Sequence, residues 1–381
     1  MGSGEDTPTR PVRIMPLGDS ITEGWGSATW AGYREELFNE LHRLGHDIDF
    51  VGPRNDVLQP EGDPDHAGSS GITIQGLTEV APAWVSAAAP DWVLLHIGTN
   101  NMYDDNATLA PGYLRALLDA IQQACPAAHI LLASIIPSRF APFQKHIDEY
   151  NQHVRKIAEE RADQGVHFVD MAPALTASES GQDDDLSDNV HPNLQGYAKM
   201  SKVWRDALHP LLPAPEGGPI LTRNPHFQTT RLSAAHQADR GWDRGYFPGW
   251  DNEGVNAYAA ELAGSGNGSN AVGMFTAPPM YKGIATRLAT TPQVPVRVAF
   301  RTKSNSLGPA YACDPNAASD HTFTIEADGH PPATMTADGS WRTLTYEFTP
   351  TATQTTLRFS PNSQPGCGPL ITDVLAREVT T

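Results

Sequence analysis

Between residues 12 and 212 the sequence alternates short apolar runs with longer amphipathic ones, and this rhythm restricts the fold more than any other feature. The apolar runs at 12–17, 48–52, 92–98, 130–136 and 166–170 lack strict period-two alternation, as expected of strands covered on both faces. Helical patterns lie between and after them at 33–44, 77–87, 109–124, 142–163 and 194–211. Leu37, Phe38, Leu41 and Leu44 form one apolar stripe; Ile147, Tyr150, Val154 and Ile157 form another. Five strand–helix units in series predict a parallel sheet with right-handed crossovers and helices on both faces.

The pattern stops at Ala214-Pro215-Glu216-Gly217-Gly218-Pro219, which reads as a linker. Beyond it no long helical period appears. Short β-type runs at 283–288, 294–301, 321–325, 341–348, 355–359 and 370–377 are punctuated by Gly, Pro, Asn and Thr, the signature of a β-sandwich. With 381 residues the chain exceeds what one core usually organises. The expected division is an N-terminal segment 1–11, an α/β domain 12–213, the linker 214–219 and an all-β domain 220–381.

Net charge is −18, with 30 acidic and 14 basic residues up to Pro213, which disfavours nucleic acid or an anionic membrane surface as partner. No apolar run approaches the length of a membrane span. The N-terminus MGSGEDTPTR contains no apolar leader, and the expectation is that a natural one has been removed from a secreted protein. Cys313 and Cys367 lie in Pro/Gly-rich surroundings and are the candidate disulfide, while Cys125, near a helix end, reads as a structural thiol.

Four polar stretches fall in loops after strands or before helices: Leu17-Gly18-Asp19-Ser20-Ile21-Thr22, His66-Ala67-Gly68-Ser69-Ser70-Gly71-Ile72-Thr73, Gly98-Thr99-Asn100-Asn101 and Asp188-Asn189-Val190-His191-Pro192. In a doubly wound sheet such loops gather at one edge, so residues far apart in sequence converge. A serine hydroxyl is a poor nucleophile until a base takes its proton, and His191 is placed to act on Ser20. Asp188, three residues earlier, can hold the imidazole in one tautomer; Asp185 is a rival for that role. The N–H groups of Ser20 and Gly71 with the Asn100 amide would make three donors for a developing oxyanion. Asp19, Trp25, Trp30 and Tyr103 are candidates for substrate contact, although Asp19 also fits a local backbone cap. His66 and the run Asp183-Asp184-Asp185 read as solvated, without the spacing of a metal loop.

Together GDSIT, the glycine of GSSGIT, GTNN and DNVHP resemble the four ordered blocks of the SGNH (GDSL-type) hydrolase superfamily. The resemblance implies a three-layer, flavodoxin-like fold and ester hydrolysis with no metal and no organic cofactor. It also implies Ser20 as nucleophile, His191 as base, Asp188 as its orienting acid, and Ser20, Gly71 and Asn100 as the oxyanion hole. The nucleophile follows the first strand and lacks the Gly-x-Ser-x-Gly elbow, unlike an ordinary α/β-hydrolase. The flanks MPLGDSITEG, GYREELFNELHRLGHDIDFVGP and HAGSSGIT are similar to acetylxylan esterases of carbohydrate esterase family three. Where that family often carries histidine and tryptophan around the second-block glycine, this chain has Ser69 and Ile72. The implied substrate is an acylated carbohydrate; alternatives are a lipase, thioesterase or acyltransferase on the same triad, or a non-catalytic carbohydrate-binding protein. Asn224-Pro225-His226-Phe227, Gly249-Trp250, Glu261-Leu262 and Ile371-Thr372-Asp373-Val374 resemble galactose-binding-like jelly-roll modules. That likeness suggests a glycan platform built from Trp242, Tyr246, Trp250 and Tyr258, although a sandwich core would use the same residues.

Overall fold

The computed structural model describes residues 10–55, 62–103, 107–178, 184–215, 217–227, 247, 249–252, 256–258, 263, 265, 269–274, 283–305, 321–362 and 368–379. The expected parallel sheet is present. Strands β1 (Val12–Gly18), β2 (Ile48–Phe50), β3 (Ala67–Gly68), β4 (Trp92–His96), β5 (His129–Ala133) and β6 (Val166–Val169) alternate with helices α1 (Ser20–Glu23), α2 (Arg34–Arg43), α3 (Ile74–Ala88), α4 (Ala110–Ala124), α5 (Ala141–Glu160) and α6 (Leu194–Leu208). The order across the sheet is β2-β1-β4-β5-β6, with two-residue β3 pairing the end of β1. All pairings are parallel, and β1 meets β4 from Ile14↔Trp92 to Gly18↔His96.

Alternation along the strands builds two cores. Met15, Leu17, Val93, Leu95, Ile130 and Leu132 pack with α3, α4 and α5 on one face. Ile14, Leu94, Leu131 and Ala133 pack with α2 and α6 on the other. Successive side chains of a strand point to opposite faces, so a strand apolar at every position must be covered twice, which makes three layers. Burying each Leu- or Ile-sized side chain contributes roughly 1.5–3 kcal/mol. The chain leaves β1 for β2 and returns past it to β4, so the switch point lies between the carboxyl ends of β1 and β4.

The C-terminal strands are antiparallel: β7 (Asp251–Asn252), β8 (Asn256–Tyr258), β9 (Ala271–Gly273), β10 (Ile284–Ala289), β11 (Val296–Lys303), β12 (Thr322–Ala327), β13 (Ala333–Thr336), β14 (Arg342–Phe348), β15 (Gln354–Pro361) and β16 (Leu370–Glu378). They form two sheets, β13-β12-β15-β10-β7 and β14-β11-β16-β9-β8. Inward residues of both share one core, with the Phe300 and Phe359 rings 5.2 Å apart across it. This agrees with the expected sandwich. Trp250, a candidate for the glycan platform, is instead buried in that core against Phe227 and donates its indole N–H to the Asn224 carbonyl (3.1 Å). The Tyr258 side chain and the platform residues Trp242 and Tyr246 lie outside the described residues, as do Cys313 and Cys367.

The stretch expected as a linker is pinned to both sides. Arg377 donates to the Gly45 (2.8 Å) and Gly218 (2.9 Å) carbonyls, and the Ile220 N–H donates to His42. Nearby, His226 is buried between Asp47 (2.9 Å) and Asp373 (2.8 Å), and Arg301 bonds the other Asp373 oxygen.

Candidate active site

Four loops meet at the switch point. β1 ends in Gly18, where a Cβ would lie 2.2 Å from the His96 carbonyl oxygen, so the close approach of β1 to β4 requires glycine. Asp19 then caps α1, its Oδ1 accepting from the Ile21 N–H (3.0 Å). Ser20 is the first residue of α1, and its Oγ lies 2.8 Å from His191 Nε2.

His191 is delivered by the loop before α6, which is closed by the Ser187 N–H donating to the His191 carbonyl (2.8 Å) and capped by Asn193. Asp188 folds back within this turn. Its Oδ1 accepts the N–H groups of Val190 (2.9 Å) and His191 (2.8 Å), and its Oδ2 lies 2.7 Å from His191 Nδ1. Partial burial works to raise the Asp188 pKa, but these N–H donors and the imidazole outweigh it and hold the carboxyl below its ordinary value. An ionised Asp188 fixes the proton on Nδ1 and leaves the Nε2 lone pair facing the Ser20 hydroxyl. The rival Asp185 is committed elsewhere, accepting from the Thr176 N–H (2.7 Å) and pairing with Lys199 (2.6 Å).

Gly71 adopts φ +75° in an exposed turn with open space where a Cβ would stand. Asn100 spends one of its two amide hydrogens on the Ile72 carbonyl (2.9 Å), tying the third block to the second. Asn101 does the same from the other side, accepting from the Ile74 N–H (3.0 Å) and donating to Gln75 (2.8 Å). The indole of Trp25, 44% exposed, lies 5.7 Å from the His191 ring and makes a T-shaped contact with Trp30. Tyr103, 53% exposed, stands edge-on to Phe143, which in turn contacts exposed Phe140.

Three expectations need correction. Asp19 is fully buried, so it is a helix cap and not a surface for substrate; burial pushes its carboxyl up to about 7. His66 is buried too, its Nδ1 accepting from the Gly68 N–H (3.1 Å). Asp184 and Asp185 are not solvated: Asp184 pairs with Arg139, and both carboxylates are almost fully covered. Sequence reading also missed Arg34. This buried guanidinium donates to the carbonyls of Thr22 (2.9 Å), Glu23 (3.2 Å), Trp30 (2.7 Å) and Pro64 (3.0 Å), bracing the C-terminal end of α1. Its only sequence signal is a cation in the first turn of an amphipathic helix, where solvated charges are equally common.

Residues 17–199 match the GDSL-like lipase/acylhydrolase family, and this segment of the chain belongs to it. A multidomain esterase of Ruminococcus flavefaciens is 30% identical over 233 residues, 54% of this chain but 29% of that protein, so the chain spans under a third of that curated relative. Among solved structures, a family 3 carbohydrate esterase of Clostridium thermocellum is 30% identical, covering 54% of this chain and 100% of its own, with a TM-score of 0.47. A family 3 carbohydrate esterase of Talaromyces cellulolyticus is 28% identical, covering 52% and 97%, with a TM-score of 0.44.

Proposed function

We propose that this protein is a serine esterase that removes short acyl groups, acetyl foremost, from a polysaccharide or other glycosylated substrate. The observation that carries the reading is the unbroken chain Ser20 Oγ–His191 Nε2 and His191 Nδ1–Asp188 Oδ2, at 2.8 and 2.7 Å, on the sheet edge where ligands bind. The family of residues 17–199 and the named esterase relative support it, as does the likeness of the sequence blocks to carbohydrate esterases.

In this mechanism the Ser20 oxygen attacks the acyl carbonyl while its proton passes to His191 Nε2. The carbonyl oxygen becomes an oxyanion, met by the Ser20 and Gly71 N–H groups and the remaining Asn100 amide hydrogen. One such donor is worth about 2.7–4 kcal/mol of transition-state stabilisation. The imidazolium, balanced by Asp188, gives its proton to the departing sugar oxygen, leaving the acyl group on Ser20. Water, deprotonated by the same Nε2, then attacks the acyl-enzyme; the carboxylic acid leaves and Ser20 regains its proton. No step requires a metal or organic cofactor. Trp25, Trp30 and Tyr103 offer aromatic faces on which a sugar ring can stack.

The full chain should hydrolyse p-nitrophenyl acetate, and Ser20→Ala should abolish this; a wild-type rate in that variant overturns the reading. In a panel of acetyl to long-chain esters, acetyl should be preferred. A long-chain preference would instead favour a lipase, for which exposed Phe140, Tyr103 and Leu194 would provide apolar contact.

A further inference from the structure

One ionisable group beside the site is not used by the mechanism above. Glu23, the last residue of α1, is nearly buried, 8% exposed. Its Oε2 accepts both the backbone N–H of Ser70 (2.6 Å) and the Ser70 hydroxyl. Its Oε1 faces Arg54 Nη1 at 3.5 Å, and Arg54 Nη2 lies 3.5 Å from the Ser69 hydroxyl. The loop reaches this carboxylate because Gly68 lies flat on α1: a Cβ there would stand 2.4 Å from the Glu23 nitrogen. The Ser69 N–H, donating to the Gly18 carbonyl (3.1 Å), anchors the same loop to the end of β1.

Ser70 immediately precedes Gly71. Gly71 has positive φ, open space around it and no side chain, so nothing of its own fixes the direction of its N–H. The turn is closed by the Ile72 N–H donating to the Ser69 carbonyl (3.2 Å). Within it the orientation of the exposed Ser70–Gly71 peptide is held by the buried Glu23 carboxylate, which clamps the Ser70 N–H and hydroxyl. The same short helix carries Ser20 at one end and Glu23 at the other, so nucleophile and clamp move as one body.

We infer that Glu23 is a positioning residue: through Ser70 it aims the Gly71 N–H at the oxyanion, with Arg54 holding Glu23 and Ser69 in register. This rests on the esterase reading above. An oxyanion donor acts in the transition state more than in the ground state, so loss of aim should appear in kcat and not in KM. Glu23→Gln keeps the volume but replaces one acceptor oxygen with a donor. The expected result is a kcat lowered about tenfold on p-nitrophenyl acetate with KM within about twofold, since the donor is misaimed and not removed. Inactivation of Ser20 by an organophosphate, whose P=O also needs the oxyanion donors, should slow by a similar factor.

Ser70→Ala removes only the hydroxyl and should lower kcat several-fold; in the Glu23→Gln background it should have little further effect, because both act through one contact. A wild-type kcat in Glu23→Gln, or in Ser70→Ala should the former not fold, overturns the inference. So does a lower melting temperature with kcat and organophosphate inactivation unchanged, which would make Glu23 merely structural. Failure of the esterase reading looks different: the wild-type chain would then show no Ser20-dependent hydrolysis at all.

Discussion

Among the described residues two Ser–His–Asp clusters stand out, one at the sheet edge and one where the two halves meet, and only the first fits the proposed chemistry. In the first, Ser20 Oγ is 2.8 Å from His191 Nε2 and Asp188 lies on Nδ1, with the Asp188 side chain 47% exposed at the sheet edge. In the second, Ser269 Oγ is 3.3 Å from His226 Nδ1, but Asp373 occupies the same nitrogen at 2.8 Å and Asp47 the other at 2.9 Å. Burial alone would lower the His226 pKa; the two carboxylates overcome it and raise it well above the ordinary value. A doubly paired, buried imidazolium has no lone pair with which to take a proton from serine. One carboxylate makes a histidine a base; two make it a structural cation.

The largest test of this contrast removes the serines. Ser20→Ala should lower kcat by at least about 10⁴-fold, whereas Ser269→Ala should stay within about twofold of wild type. Comparable losses in both, measured on p-nitrophenyl acetate, would mean that the second cluster also carries chemistry.

Changing the carboxylates should give opposite kinds of damage. Asp188→Asn is expected to lower kcat about 10⁴-fold by allowing the wrong tautomer, with little change in unfolding free energy at this half-exposed position. Asp373→Asn breaks a buried pair that joins the two halves through His226 and Asp47, and should cost about 3–5 kcal/mol in urea unfolding while leaving kcat near wild type. If Asp373→Asn unfolded at the wild-type midpoint, the second cluster could not be what fastens the halves.

The second cluster also predicts a pH window. Burial opposes ionisation of Asp373, yet His226 and Arg301 hold it down to about 2, so its stabilisation is present above the unfolded carboxylate value and is lost as pH falls towards 2. His226, shifted up, stabilises fully below about pH 6.5, and this is lost as pH rises through its elevated folded value. The melting-temperature gap between wild type and Asp373→Asn should therefore be widest between about pH 4 and 6.5 and narrow on both sides. A constant gap from pH 3 to 9 would contradict the pairing.

The two halves also differ in how much of them the sequence reveals. The parallel strands were legible because doubly covered strands are apolar throughout, and the four blocks because Gly, Asp, Asn and Ser mark turns whose convergence follows from strand order. Two-residue β3 was not legible: it exists because Gly68 lies against α1, a contact with no periodicity. Asp184 and Asp185 read as surface charges, and Glu23 and Arg34 gave no signal, since a sequence shows a charge but not the carbonyl, hydroxyl or counter-ion that permits its burial. In the C-terminal half the long strands show period two, as in the alternating burial of β11, while half-exposed β13 escapes detection. Trp250 could be read as platform or core, and only the neighbouring Phe227 and Phe359 decide it.

The smallest expected effect compares two buried carboxylates shifted in opposite directions. Asp373, flanked by cations, is held down to about 2; Asp19 is pushed up to about 7 by burial, which outweighs the Ile21 N–H on Oδ1 and the Thr99 hydroxyl that favour its charged form. The fold thus prefers Asp19 protonated, and its ionisation reduces stability progressively as pH rises from the unfolded value, about 3.9, to about 7, with no further change above. Asp19→Asn keeps an oxygen to cap Ile21 and removes the charge. Its stability gain over wild type should therefore be larger at pH 8 than at pH 5, by on the order of 1–3 kcal/mol in paired urea titrations. An equal gain at both pH values would show that Asp19 is ionised throughout, and that the Ile21 N–H and the Thr99 hydroxyl suffice to hold a buried charge beside Ser20.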